Sequence, residues 1–175
     1  MDDPSIGALF GATILLVILS AYFSGSETAM MALNRYRLKH LANEGHGGAR
    51  RASRLLERPD RLLSVILIGN NLVNFTAASL ATLIALELYG ESGVAIAPVV
   101  CTFVFLIFAE VAPKSIAAAH PEKVALPSSY ILNLLLLSLY PLVWLVNGIA
   151  NGILSLIGIN HDETASDHLS KEELR

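Results

Sequence analysis

The chain is 175 residues long, with 12 Lys and Arg against 15 Asp and Glu, a formal charge of −3. Apolar residues make up 54% and charged residues 15%, short of the roughly 25% charged residues with which soluble domains coat a water-facing surface. This excludes a soluble globular enzyme and a nucleic-acid binder, and the lone Cys101 excludes a disulfide scaffold. An integral membrane protein is left.

The charges are gathered into a few places. No Lys or Arg occurs before Arg35, or between Arg61 and Lys114, and a bilayer-crossing helix takes about 20 apolar residues. The first apolar block runs from Ile6 to Leu33. The N-terminus before it is acidic (Asp2, Asp3), and the block is too long for the core of a cleavable signal peptide. Ser24-Gly25-Ser26-Glu27 interrupts it. Glycine and serine predict an unwound turn there, which would free carbonyl oxygens, and such backbone is tolerated in a membrane only when protein or a water-filled cavity covers it.

The segment from Arg35 to Arg61 holds eight of the twelve Lys and Arg residues, so the positive-inside rule places it in the cytoplasm. Leu38, Leu41, Leu55 and Leu56 recur among those charges at helical spacing. They predict amphipathic helices at the lipid surface, joined at Gly45-His46-Gly47-Gly48. The arginines read as a topology signal, and His40 and His46 read as surface residues.

A second block, Leu62 to Leu88, carries Gly69-Asn70-Asn71 and Asn74. Asn70 and Asn74 stand four residues apart and share a helix face, while Asn71 points elsewhere. Their amides suit either interhelical hydrogen bonding or an oxygen-lined site. After a short external turn, Glu87 to Ser92, the third block runs from Gly93 to Pro113. It carries one carboxylate, Glu110. Pro113 has no N–H to give the carbonyl of Ala109, so a carboxylate and a released carbonyl are expected at one helix end. Lys114 can pair with Glu110 at i, i+4 or turn to the cytoplasmic interface.

The last block, 124–159, exceeds one span, and Pro141 divides it into arms suited to a re-entrant or interfacial pair. The predicted fold is therefore all-α integral membrane: three transmembrane helices plus amphipathic juxtamembrane or re-entrant helices. The N-terminus is expected outside and the C-terminus in the cytoplasm. Residues 1–159 form the transmembrane domain. Residues 160–175 turn polar, and Ser170-Lys171-Glu172-Glu173 looks like a helix start leading into a cytoplasmic domain.

Ionisable and polar groups at membrane depth are costly. The three clusters together offer hydroxyls, amide carbonyls, backbone carbonyls and one or two carboxylates. Hard oxygen donors without Cys or His favour magnesium, calcium, sodium or potassium over zinc and copper. Few carboxylates would hold an ion loosely enough to release it, as transport requires.

The strings Phe23-Ser24-Gly25-Ser26-Glu27-Thr28-Ala29, Ile68-Gly69-Asn70-Asn71-Leu72-Val73-Asn74 and Glu110-Val111-Ala112-Pro113-Lys114-Ser115 resemble, in that order, the transmembrane domain of the CorC and cyclin M magnesium transporters. The resemblance implies a homodimer in the plasma (inner) membrane with three spans per subunit and a juxtamembrane helix belt. It also implies that paired cystathionine-β-synthase-type regulatory domains follow in the full-length protein. It implies Mg²⁺ export driven by Na⁺ entry, through alternating access. Carried over by position, the ion site falls on Ser24, Gly25, Ser26, Asn70, Asn74 and Glu110. Gly69, Asn71, Ala109, Pro113 and Lys114 then take structural or gating roles. Glu27 matches the bacterial pattern and is not carried over as a ligand; Ala109 stands where the family often has glycine. A divalent-cation channel and a membrane anchor for regulatory domains are the alternatives. An intramembrane hydrolase using Ser24 or Ser26 lacks a general base in the spans.

Overall fold

A computed structural model describes residues 5–156; the expected linker at 160–175 lies outside the described residues. Among the described residues the chain forms eight α-helices and one π-helical segment, with no strand.

Helix α1 (Ile6–Ala32) begins at Ser5, whose hydroxyl accepts the Ala8 N–H at 3.4 Å. It buries Ser20, Phe23, Ser24, Gly25, Ser26, Ala29 and Met30 and leaves Ile14, Leu15 and Ile18 more than half exposed. Small and polar residues inside, large apolar ones outside, is the pattern of a lipid-facing bundle. Leucine gains nothing by leaving lipid, and small residues let helices approach. The expected unwound turn at Ser24–Glu27 is not there: α1 is helical throughout. Glycine in a helix costs only about 1 kcal/mol, whereas each backbone group left unpaired in lipid costs several. Gly25 serves close approach instead, since a Cβ there would stand 3.5 Å from the Pro113 carbonyl oxygen.

The basic segment forms α2 (Arg35–Asn43) and α3 (Gly47–Leu55). The joint is shorter than expected, because Gly47 and Gly48 belong to α3; Gly45, at φ +91°, supplies the turn. Asn34 caps α2 by accepting the Arg37 N–H at 3.1 Å. His46 caps α3, its Nδ1 accepting the Ala49 N–H at 3.2 Å.

Helix α4 (Pro59–Tyr89) starts with proline in its first turn, where no N–H is missed. The turn from α4 to α5 (Glu91–Val104) is tighter than the expected Glu87–Ser92, being Gly90 alone at φ 64°, ψ −151°, a region open essentially only to glycine. Gly93 continues the squeeze, as a Cβ there would overlap the Ala85 carbonyl. Then come a π-helical segment, Phe105–Val111, and α6 (Ala112–Ala119), so the third rod spans Glu91–Ala119 rather than ending at Pro113. Proline falls in the first turn of α6 and restarts the helix instead of stopping it.

Helices α1 and α4 and the Glu91–Ala119 rod are each long and apolar enough to cross a membrane. After them, α7 (Pro121–Ser138) and α8 (Tyr140–Leu156) meet at Leu139 with a 76° bend. The break precedes Pro141, which sits in the first turn of α8. Helix α3 lies at backbone distance from α7, where a Cβ on Gly48 would stand 3.0 Å from the Leu126 carbonyl oxygen. The Arg37–Glu122 ion pair, 2.7 Å, ties α2 to α7.

Within the bundle, α1 packs along α4 and also on the π segment and α6, but diverges from α5. The gap is an apolar cavity of about 340 Å³, lined by Phe10, Ile14, Val17, Ile84, Ile96 and Val100 among others.

Candidate cation site

Below that cavity, toward the ends of the spans nearest the basic segment, the polar residues meet. Each arrives on a different rod. Ser20 and Ser24 lie one turn apart on the buried face of α1, Asn70 and Asn74 one turn apart on α4, and Glu110 in the π segment. The Ser24 hydroxyl donates to Glu110 Oε2 at 2.9 Å. The Asn70 amide nitrogen donates to Glu110 Oε1 at 3.4 Å, and its oxygen accepts from the Ser20 hydroxyl at 3.0 Å. Lys114 Nζ sits 2.7 Å from Glu110 Oε2.

The π segment sets the aim of Glu110. Its ladder closes five residues back, as in the Ala112 N–H bonded to the Ile107 carbonyl. Proline at 113 can supply neither the α-helical partner of Ala109 nor the π-helical partner of Phe108. Such bulges gather at functional sites because they re-aim a side chain and loosen the carbonyl ladder.

Asn74 adds an unexplained oxygen: its Oδ1 is buried with no hydrogen-bond partner among the described residues. An unmet buried acceptor costs about 1–3 kcal/mol. The oxygen stands one turn from Asn70 on the same helix face.

The sequence-derived candidates thus divide. Ser24, Asn70 and Glu110 are in direct contact, and Asn74 shares the Asn70 face. Gly25 and Pro113 form the close contact of α1 with α6. Gly69 admits the Phe23 ring, whose Cζ lies 2.6 Å from where a Cβ would stand. Ala109 is fully buried. Ser26 turns to α7, donating to the Ser128 hydroxyl at 3.1 Å, and Asn71 lies on the exposed face of α4. Lys114 pairs with Glu110. Ser20 was missed; its spacing of four from Ser24, matching that of Asn70 and Asn74, was the available signal. Among the described residues no three His, Cys, Asp or Glu cluster as a metal site. The donors are instead neutral oxygens around one carboxylate.

Residues 11–175 match the cyclin M transmembrane N-terminal domain. The chain belongs to the cyclin M transmembrane family. Among its relatives in that family is the Escherichia coli (strain K12) UPF0053 inner membrane protein YfjD, 57% identical over 157 residues, which are 90% of this chain and 37% of that protein. A UPF0053 protein of Haemophilus influenzae is 50% identical over 175 residues, all of this chain and 41% of that one. A polyamine export protein of Salmonella typhimurium is 32% identical over 174 residues, 88% of this chain and 38% of that one. The chain therefore spans about two fifths of the length of these relatives.

Proposed function

We propose that this cyclin M domain is the membrane part of a secondary transporter that exports Mg²⁺, coupled to Na⁺ entry. The observation that carries this reading is the convergence of Ser24, Asn70 and Glu110 from three separate spans. Hydroxyl and amide oxygens around one carboxylate suit a small hard cation. One carboxylate also keeps binding loose enough for release. The cation enters from the cytoplasmic side, shedding water against Ser24, Asn70, Asn74 and Glu110. The apolar cavity between α1 and α5 gives no polar way outward, which favours alternating access over a continuous pore. Sodium, taken up at neighbouring hydroxyls and amides, drives the return. The proposal includes a homodimer in the inner membrane, with the N-terminus outside. Cystathionine-β-synthase-type regulatory domains in the full-length protein complete it.

The test is Mg²⁺ flux from proteoliposomes with and without an inward Na⁺ gradient. Flux should be saturable, depend on the gradient, and vanish in Asn70→Ala and Glu110→Ala, which should also lose Mg²⁺-dependent thermal stabilisation. Ohmic single-channel currents would instead establish a channel. Wild-type stabilisation in both variants would remove these residues as ligands.

One observation favours a second reading, in which the cargo is a polyamine. Lys114 places a primary ammonium on Glu110 at 2.7 Å, so the carboxylate accommodates an alkylammonium group, and the Salmonella typhimurium relative is named a polyamine export protein. Competition decides between the two: spermidine should leave Mg²⁺ flux unchanged if Mg²⁺ is the cargo, and should itself move if polyamines are.

A further inference from the structure

The Lys114–Glu110 pair stands where a transported cation would have to bind. The ammonium occupies Oε2, the same oxygen that accepts the Ser24 hydroxyl, and Glu110 is the one carboxylate in that cluster. A cation that binds Glu110 must therefore share the carboxylate with Lys114 or displace it. The lysine is only partly covered. Its side chain is 44% exposed against 29% for Glu110, and its four-carbon stem carries a compact, rotatable charge.

There is a second place for that charge. Glu27 lies three residues after Ser24, one turn nearer the end of α1 and on the same face. Ser24 meets Glu110 across the two rods and Gly25 meets Pro113, so Glu27, one turn on from Ser24, stands level with Lys114, one turn on from Glu110. A lysine with one carboxylate in the cluster and another a turn away has two seats.

Resting on the transport reading above, we propose that Lys114 is a tethered competitor of the cargo, seated on Glu110 between transport events and displaced toward Glu27 when a cation binds. The device keeps a partly buried carboxylate neutralised inside the bundle, where an unpaired charge is costly. It also opposes the cargo with a covalently held charge whose local concentration never falls, so affinity is lowered and release is aided. Glu110 and the neutral oxygens around it set how the cation is coordinated, while Lys114 sets how long it stays.

The test titrates Mg²⁺ against the chain in lipid nanodiscs, by calorimetry, alongside flux in proteoliposomes. Lys114→Met should tighten Mg²⁺ binding roughly tenfold or more, a change of about 1.4 kcal/mol per decade, while slowing flux, because the bound ion no longer has a competitor at exit. Lys114→Arg keeps the charge and should retain near-wild-type affinity. Glu27→Gln removes the second seat and should weaken binding several-fold with Glu110 untouched, which keeps the test decisive if Lys114→Met folds poorly. A folded Lys114→Met that binds no tighter than wild type overturns the competitor role, as does a Glu27→Gln that binds unchanged. Wild type that binds no Mg²⁺ overturns the Mg²⁺ reading itself, and this inference with it. Tighter binding with slower flux is an outcome that a purely structural ion pair would not give.

Discussion

Serines two residues apart on one helix have different work. Ser24 donates to Glu110, whereas Ser26, two positions on and rotated by about 200° at 3.6 residues per turn, donates to Ser128 of α7. Ser26→Ala should therefore leave Mg²⁺-dependent stabilisation intact and lower only the baseline melting temperature, while Ser24→Ala should remove the stabilisation. Thermal unfolding with and without Mg²⁺ separates the two. Gly69 gives a second residue-scale expectation. Its missing Cβ leaves room for the Phe23 ring, which is 8% exposed and stacks edge-on against Tyr22 at 5.7 Å. Gly69→Ala should destabilise by about 1–3 kcal/mol through overpacking, and Phe23→Leu in the same chain should recover much of that loss. Additive losses in the double variant would show that the ring and the glycine do not meet.

At the scale of elements, the π segment decides where the carboxylate points. Pro113→Ala keeps the Cβ and carbonyl that face Gly25 and changes only the ring and the missing N–H. The restored donor can pair with the Ala109 carbonyl and draw the segment toward α-helical register. Mg²⁺ affinity should fall several-fold while stability without the ion stays level or rises. Unchanged affinity would mean that the bulge is not what aims Glu110. The helices themselves were legible because membrane spans announce themselves by length and by the absence of charge. The starts of α1 at Ile6 and of the basic helices at Arg35 follow directly from Ser5 and Asn34, which have capping side chains. The π segment was not legible. Its trigger, a proline at 113, reads equally as a helix end, whereas the rod continues to Ala119 and packs there against α1 and α7.

For the whole molecule, the positive-inside rule makes a topological prediction. In a Cys101→Ser background, a cysteine at Glu91 should react with a membrane-impermeant maleimide in intact cells. One at Arg54 should react only after permeabilisation. The reverse pattern would invert the orientation and place the candidate site toward the outer face. The α7–α8 pair can be tested in the same way, and labelling at Pro141 and Trp144 should follow the cytoplasmic pattern if the 76° bend belongs to a re-entrant or interfacial pair rather than to a fourth span.

The sequence by itself determined the class of the protein, its spans, the basic belt and which polar residues lie within the spans, because each depends on composition or on spacing along a single helix. Hydropathy over about 20 residues and an i, i+4 repeat need no knowledge of neighbours. The tertiary structure alone decided which polar residues meet. It seated Ser24, Asn70 and Glu110 together, turned Ser26 away, recruited Ser20, left the Asn74 oxygen without a partner and set Lys114 on the carboxylate. Those outcomes depend on how three rods rotate about their axes. That rotation is fixed by close contacts, Gly25 on Pro113 and Gly69 on Phe23, between residues far apart in the chain.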